Sequence, residues 1–305
     1  MRKIDLGNSG LAVSEISLGC MRIHELDKKD AAYVIENAMD VGVDFFDHAD
    51  IYGGGKSEEV FSEAINMNDD VREKMKLQTK CGIREGMFDF SKEHIVESVE
   101  GSLRRLKTDY VDSLLLHRPD ALMEPAEVAE AFTELKGSGK VRHFGVSNQN
   151  PLQMALLKKE LKEDLIVNQL QLSIVHTPMI DAGLNVNMQH DPAVVRDSNV
   201  LEYCRLHDIT IQAWSPFQHG MIEGPFIGNV EFPEVNAKLQ ELAEEKGVTD
   251  SAIAIAWILR HPAKIQPIVG TMNPKRLKDI AEASNVELTR KEWYELYRAA
   301  GNDLP

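Results

Sequence analysis

The chain has 305 residues, of which 43% are hydrophobic, and its formal net charge at pH 7 is −15. This hydrophobic fraction can fill a large core, and one (β/α)8 barrel takes about 250 residues. The negative charge, with no basic run to offset it, argues against nucleic acid or an anionic membrane as partner. Two ordinary domains would also fit this length, so length alone does not decide. No break in composition suggests a linker, and we therefore expect one domain over residues 1–305.

The first residues predict a β-hairpin, because two short alternating segments flank a GNSG turn at residues 7–10. Residues 1–5 contain no apolar h-region, so we expect no signal peptide. The longest apolar run, residues 252–259, is shorter than the roughly 20 residues that span a bilayer. We therefore expect a cytoplasmic protein.

After the hairpin, short apolar segments alternate with amphipathic ones. The strand candidates are residues 16–18, 44–46, 76–79, 111–116, 141–146, 165–170, 209–213 and 265–269. Several are nearly continuous apolar runs, which is typical of parallel strands covered on both faces. Eight such βα units predict a single (β/α)8 TIM barrel or, alternatively, an open doubly wound sheet. No Gly-x-Gly-x-x-Gly follows a strand, so an ordinary Rossmann site is not supported.

Capping signals mark the predicted helices. An amphipathic segment at residues 91–107 predicts one helix, and Thr289 with Glu292 forms a capping box at the start of the last. Asn or Asp followed by Pro suits a helix start, since the first caps free N–H groups and the second fits the first helical position. These pairs are Asn150-Pro151, Asp191-Pro192 and Asn273-Pro274. Residues 176–190 and 216–232 are predicted to be long irregular loops.

Most of the predicted strands end in residues with polar side chains. In chain order they are Asp47, Lys80, His117, Ser147 with Asn148, Gln169, Trp214 with Ser215, and Gly270 with Thr271. In a barrel these ends meet at one face, where active sites are built. Each residue alone has an ordinary structural explanation, but the whole series predicts a functional site.

This combination of groups suits the reduction of a carbonyl. Hydride transfer builds negative charge on the carbonyl oxygen, which then needs a proton donor and hydrogen-bond support. Tyr52 is a weak acid with an ordinary pKa of about 10, and the Lys80 cation is expected to make it a better donor. Asp47 is expected to hold Lys80, and His117 to point its N–H at the carbonyl oxygen.

Four ordered segments resemble the aldo-keto reductase family, and the likeness runs from the hairpin to the last helix. They are residues 42–53 (GVDFFDHADIYG), 79–80 (TK), 109–120 (DYVDSLLLHRPD) and 139–148 (GKVRHFGVSN). The catalytic tetrad of that family falls on Asp47, Tyr52, Lys80 and His117. The resemblance implies a (β/α)8 barrel that reduces aldehydes or ketones with NADPH.

The resemblance also implies cofactor-binding residues. Those that would hold the nicotinamide carboxamide are Ser147, Asn148 and Gln169. Trp214 would stack on the nicotinamide, where tyrosine or phenylalanine is more usual, and Ser215 begins the segment that crosses the pyrophosphate. The adenosine phosphate would lie near Gly270, Thr271 and Arg276. Position 270 is often basic in the family and is glycine here, but an arginine beside a helix N-terminus suits a phosphate and favours NADPH over NADH.

Two other functions stay open. The barrel of a redox sensor or regulatory module would bind the cofactor with little turnover. A metallohydrolase is suggested by His48 between Asp47 and Asp50, although neighbouring strand side chains point apart. The three cysteines, an odd number without C-x-x-C spacing, indicate neither a disulfide framework nor a zinc site. The sequence does not specify the substrate, because the pocket of this family is lined by variable loops. Here the lining would include Met21, Ile23 and the two long loops. The sequence does not specify the oligomeric state either.

Overall fold

The computed structural model describes residues 1–304 and contains a closed barrel of eight parallel strands. The barrel strands β1 to β8 are Ser17–Gly19, Phe45–Asp47, Lys76–Cys81, Val111–Leu116, Val141–Ser147, Leu165–Gln171, Thr210–Trp214 and Gln266–Val269. Strand β8 pairs with β1, which closes the sheet and rejects the open-sheet alternative. The (β/α)8 prediction is confirmed, and every predicted strand is present with its ends within two residues.

Helices connect the strands on the outside of the barrel. The helices α1 to α12 are Lys28–Asp40, Lys56–Ala64, Asp69–Arg72, Lys92–Leu106, Pro125–Gly137, Pro151–Leu157, Pro178–Leu184, Val200–Leu206, Pro233–Lys246, Asp250–Leu259, Pro274–Ala281 and Arg290–Ala299. The side chains of Asn150, Asn273 and Thr289 cap α6, α11 and α12 as predicted. No helix among residues 1–304 is long and apolar enough to cross a membrane.

The helix start predicted at Asp191-Pro192 is wrong. These residues form only a 3-10 turn, Asp191–Ala193, and α8 begins later at Val200. The turn is followed by Val194 and Val195, which are exposed and offer no apolar stripe to bury. A short helix without tertiary packing is not stable. The two long loops are also more regular than predicted, since the first contains α7 and the second a small hairpin of Gln218–His219 with Gly224–Pro225.

The predicted N-terminal hairpin, Lys3–Leu6 with Leu11–Ser14, closes the end of the barrel where the strands begin. Its apolar face packs into a separate buried cluster made by Leu6, Leu11, Val13, Phe45, Leu115, Ile166 and Val167. A Cβ on Gly7 would lie 2.7 Å from the backbone of Ile166, so glycine lets the hairpin turn approach β6 this closely.

One layer of the barrel interior is polar. In the strand register, Asp47 stands opposite Gln78, and Gln212 lies between Gln169 and Gln266. All five side chains are buried. Because inward positions alternate along a strand, Gln78 and Lys80 of β3 point to the same interior. This layer therefore lies directly beneath the carboxyl-terminal rim that carries the predicted site.

Candidate active site

The structure brings the four predicted catalytic side chains together at the carboxyl-terminal rim. Asp47 ends β2, Lys80 lies in β3, His117 follows β4, and Tyr52 begins a 3-10 helix, Tyr52–Gly55. The Lys80 Nζ lies 2.7 Å from Asp47 Oδ2 and 3.0 Å from Tyr52 Oη. The rings of Tyr52 and His117 meet edge to face, with centroids 5.9 Å apart. The predicted meeting of these four groups at one rim is therefore present.

A glycine-rich turn fixes the position of Tyr52. The backbone φ angles of Gly53, Gly54 and Gly55 are 59°, 65° and 93°. Residues other than glycine rarely adopt this left-handed conformation. A Cβ on Gly53 would also lie 2.6 Å from the ring of His24. Position 53 therefore needs glycine both for its backbone conformation and for the space beside His24. The turn places the Tyr52 side chain against Lys80.

The Lys80 ammonium is fully buried, and three oxygen atoms accept its hydrogen bonds. They are Asp47 Oδ2, Tyr52 Oη and, at 2.9 Å, the carbonyl of His48. Burial lowers the pKa of Lys80, but the charge of Asp47 and the contact with Tyr52 outweigh burial, so the pKa lies above its ordinary value. Lys80 is therefore a permanent cation beside the phenol.

Burial dominates the acidity of Tyr52. It raises the pKa of the phenol, while the charge and hydrogen bond of Lys80 lower it, and the net pKa stays above the ordinary value. Lys80 thus acts in the predicted direction but does not bring the pKa below its reference. The phenol keeps its proton at neutral pH, as a proton donor must.

The imidazole of His117 is neutral. Burial first, then the charges of Lys80 and Arg118, lower its pKa to about 2. Its Nδ1 is buried and has no hydrogen-bond partner among residues 1–304. A neutral imidazole carries one N–H and one free nitrogen, so His117 can donate a hydrogen bond without bringing a second positive charge to the rim.

His48 does not support the metallohydrolase alternative. Its ring packs edge-on against Phe61, with centroids 4.5 Å apart, and burial together with the Lys80 charge lowers its pKa to about 3. The Asp47 carboxylate beside it faces Lys80 instead. The part of the chain that is described, residues 1–304, contains no group of three His, Cys, Asp or Glu side chains arranged to hold a metal ion.

The residues predicted to hold the nicotinamide lie together at the ends of β5, β6 and β7. Ser147 Oγ donates to the Gln169 carbonyl at 3.0 Å, and Asn148 Nδ2 donates to Ser147 Oγ at 2.8 Å. The half-buried Trp214 donates its indole N–H to Asn148 Oδ1 at 3.2 Å. The side-chain nitrogen of Gln169 donates into the barrel, to Asp47 at 3.1 Å. Its amide oxygen is therefore the atom left to meet a ligand.

The residues predicted to hold the phosphates lie beyond β7 and β8. Ser215 has a left-handed backbone with φ 52°. Thr271 is buried, and its Oγ1 accepts a hydrogen bond from the backbone N–H of Asn273. The side-chain Oδ1 of Asn273 in turn accepts from the backbone N–H of Arg276. The Arg276 side chain is exposed and forms no ion pair with any carboxylate in residues 1–304. Its guanidinium is therefore free to meet an anion.

A second cation near this end was not expected from the sequence. Arg22, in the segment after β1, donates from Nη2 to the Gly270 carbonyl at 2.5 Å. A Cβ on Gly270 would meet no atom within 4 Å, so the space beside it is open. Arg22 thus brings a positive charge to position 270, which itself has none. Of the two predicted pocket residues after β1, Met21 is exposed, whereas Ile23 belongs to the hydrophobic core.

Known proteins resemble the chain over nearly its whole length. Residues 15–300 match the model of the aldo/keto reductase family. The chain is 37% identical to an uncharacterized oxidoreductase, YcsN of Bacillus subtilis strain 168, with all of both chains covered. It is 35% identical to a 6-dehydroglucose reductase of Agrobacterium fabrum, over 98% of each. An aldo/keto reductase structure from Klebsiella pneumoniae, in complex with NADP and acetate, shares the fold with a TM-score of 0.77. The match covers 97% of this chain and 94% of that chain, at 24% sequence identity.

Proposed function

Because the chain belongs to the aldo/keto reductase family, we propose that it reduces an aldehyde or ketone with NADPH and that Tyr52 donates the proton. The observation that carries the proposal is the 3.0 Å contact of Lys80 Nζ with Tyr52 Oη, in which Lys80 is held from its other side by Asp47. A buried cation that touches a phenol favours the charge that forms when the phenol gives up its proton.

The side chains at the rim fit a nicotinamide dinucleotide phosphate. The half-buried indole of Trp214 offers an aromatic surface, and the amide oxygen of Gln169 offers an acceptor for a carboxamide N–H. The exposed guanidinium of Arg276, which no carboxylate of residues 1–304 neutralises, suits the extra phosphate of NADPH. The NADP in the Klebsiella structure supports the same choice. When bound, NADPH would supply the hydride.

The residues of this chain would then manage the charge on the substrate oxygen. As negative charge develops there, the Tyr52 hydroxyl donates its proton, and Lys80 stabilises the phenolate that remains. Asp47 keeps the ammonium in place through its 2.7 Å contact. His117, neutral and beside the Tyr52 ring, would donate its N–H to the same oxygen and so fix the position of the carbonyl.

The test is a panel of aldehydes and ketones with NADPH and with NADH, measured on the wild type and on Tyr52→Phe. We expect NADPH to be preferred and kcat to fall by about 10² or more in the variant, the usual contribution of a positioned acid. The dissociation constant of NADPH should not change, because the hydroxyl is assigned to the substrate oxygen.

Two results would overturn the proposal. If Tyr52→Phe keeps the wild-type rate, Tyr52 is not the proton donor. If the wild type binds NADPH tightly and turns over no carbonyl in the panel, the reductase assignment fails and the sensor alternative is favoured.

A further inference from the structure

Four buried glutamines form a continuous hydrogen-bond network inside the barrel, which we call the glutamine network: Gln78, Gln169, Gln212 and Gln266. Gln78 and Gln169 each donate to the Oε1 of Gln212, at 2.7 and 3.0 Å. Gln212 donates to Gln266 at 2.8 Å, and Gln266 donates to the Ser14 carbonyl at 2.7 Å. The network therefore runs from the end of the hairpin to the layer below the active-site rim.

The upper end of this network holds Asp47. Gln78 Nε2 donates to Asp47 Oδ1 at 2.6 Å, and Gln169 Nε2 donates to the same oxygen at 3.1 Å. Since a carboxylate oxygen only accepts hydrogen bonds, the nitrogen of each amide must be the atom that faces Asp47. The amide oxygen of Gln78 is occupied as well, because it accepts from Ser113 Oγ at 2.9 Å.

The two oxygens of Asp47 therefore have different partners. Oδ2 contacts Lys80, and Oδ1 contacts the two amides. A buried ion pair is favourable only when its remaining lone pairs are also hydrogen-bonded. The amides satisfy Oδ1 and prevent the carboxylate from rotating, so only Oδ2 is presented to Lys80.

We propose that Gln78 is a positioning residue for the Tyr52 proton donor and that it acts through Asp47 and Lys80. The proposal rests on the proposed function. Gln78 makes the shorter of the two amide contacts and is fully buried, so it does not touch the substrate. Gln169 is less informative, because it is also expected to contact the nicotinamide.

The experiment compares the wild type with Gln78→Met, which keeps much of the side-chain volume and removes the donor. We expect kcat for carbonyl reduction to fall about 10-fold or more, since small misplacements at a reacting centre are costly. The KM and the dissociation constant of NADPH should stay within about twofold. The basic limb of the kcat profile should move to higher pH, because a less well-held Lys80 lowers the pKa of Tyr52 less.

Gln78→Glu keeps the shape of the side chain and covers the case in which Gln78→Met does not fold. The introduced carboxyl donates to Asp47 only when it is protonated, so activity should recover as the pH falls. Activity that does not depend on pH in this way would argue against a required donor at position 78.

Gln266→Met is the matched control, because Gln266 is an equally buried glutamine of the same barrel interior and does not contact Asp47. It should lose a comparable amount of stability, while kcat stays within about twofold and the pH profile does not move. The proposal is wrong if Gln78→Met has the wild-type kcat and pH profile, or if both variants lose activity equally. Tyr52→Phe in the same assay separates the two proposals. If kcat falls in Tyr52→Phe but not in Gln78→Met, the proposed role of Gln78 is wrong, whereas the proposed function stands.

Discussion

Two opposing effects set the proton affinity of Tyr52 and its neighbours at the rim. Burial makes charge costly on each group, whereas the Asp47 and Lys80 pair restores a single fixed cation beside the phenol. The result is a neutral phenol, a neutral imidazole at His117 and a charged ammonium at Lys80 around neutral pH. These are the protonation states that proton donation to a carbonyl requires.

The neutral state of His117 leads to a prediction about pH. Its pKa of about 2 lies far below the ordinary value of 6.5, so it gains no proton between pH 5 and 8. We expect kcat/KM for carbonyl reduction to show no limb from His117 in this interval. The measurement is the pH profile of the wild type and of His117→Gln. A wild-type limb near pH 6.5 that disappears in the variant would contradict a buried neutral imidazole.

The sequence could predict that Asp47, Lys80 and His117 meet at one rim because each stands at the end of a predicted strand, and the motif that resembles the family added Tyr52. It did not predict that Gln78 and Gln212 meet inside the barrel, because a glutamine in a strand is also compatible with an exposed face. Only the closed barrel shows that these strands point them at one another. The contact of Arg22 with Gly270 joins residues from opposite ends of the chain, and no local pattern encodes it.

At the level of elements, the helices behind Tyr52 are joined by a buried carboxylate. Glu58 of α2 is fully buried and accepts from Arg105 Nε of α4 at 2.8 Å and from Thr79 Oγ1 of β3 at 2.7 Å. Gly55 and Gly101 make room for the arginine, since a Cβ on either would lie about 3 Å from its side chain. This contact ties the Tyr52 turn to the barrel wall.

Removing the arginine should therefore be costly. We expect Arg105→Met to destabilise the fold by about 3–5 kcal/mol, because it leaves a buried carboxylate unpaired. Adding Glu58→Gln to the same chain should recover part of that loss, since a neutral amide costs less to bury. Urea unfolding of the two single variants and the double variant measures both effects. Additive losses in the double variant would show that the two side chains do not depend on each other.

The same region makes stability depend on pH through Asp50. Burial first, and then the charge of Glu58, raises the pKa of Asp50 from 3.8 to about 6. A carboxyl with a raised pKa binds its proton more tightly in the folded state than in the unfolded state. Proton binding by Asp50 therefore adds to the free energy of unfolding; this stabilisation is fully present below about pH 4 and is lost as the pH rises through about 6.

Asp50→Asn should remove this dependence. At pH 8 we expect the variant to be more stable than the wild type by at most about 3 kcal/mol, from two pKa units, and at pH 4 the difference should fall below about 1 kcal/mol. Thermal unfolding at both pH values measures it. Glu160→Gln removes an exposed charge and is the control, for which no such pH dependence is expected. A variant that is less stable than the wild type at pH 8 would contradict a destabilised carboxylate.

Element boundaries were predictable where the signal is local. The caps at Asn150, Asn273 and Thr289 are hydrogen bonds to a residue three positions on, so the sequence contains both partners. The pair at Asp191 carries the same local signal, but no apolar face follows it to pack on the barrel. Capping predicts where a helix can start, whereas packing decides whether it continues.

At the level of the whole molecule, the order of βα units indicated a parallel sheet but not its closure. Closure depends on the pairing of β8 with β1, more than two hundred residues apart, and the family resemblance supplied that expectation. Family membership and the barrel are both confirmed. The roles of the tetrad and of the cofactor residues stay predictions, because they concern a molecule bound at the rim.

The most direct test is a crystal structure of the protein with NADP+ and a carbonyl substrate analogue. We expect the nicotinamide against Trp214, its carboxamide at the Gln169 oxygen, and the analogue oxygen within hydrogen-bond distance of Tyr52 Oη and His117. A dinucleotide bound away from these residues, or an analogue oxygen out of reach of Tyr52 while the cofactor is in place, would contradict the proposed reaction.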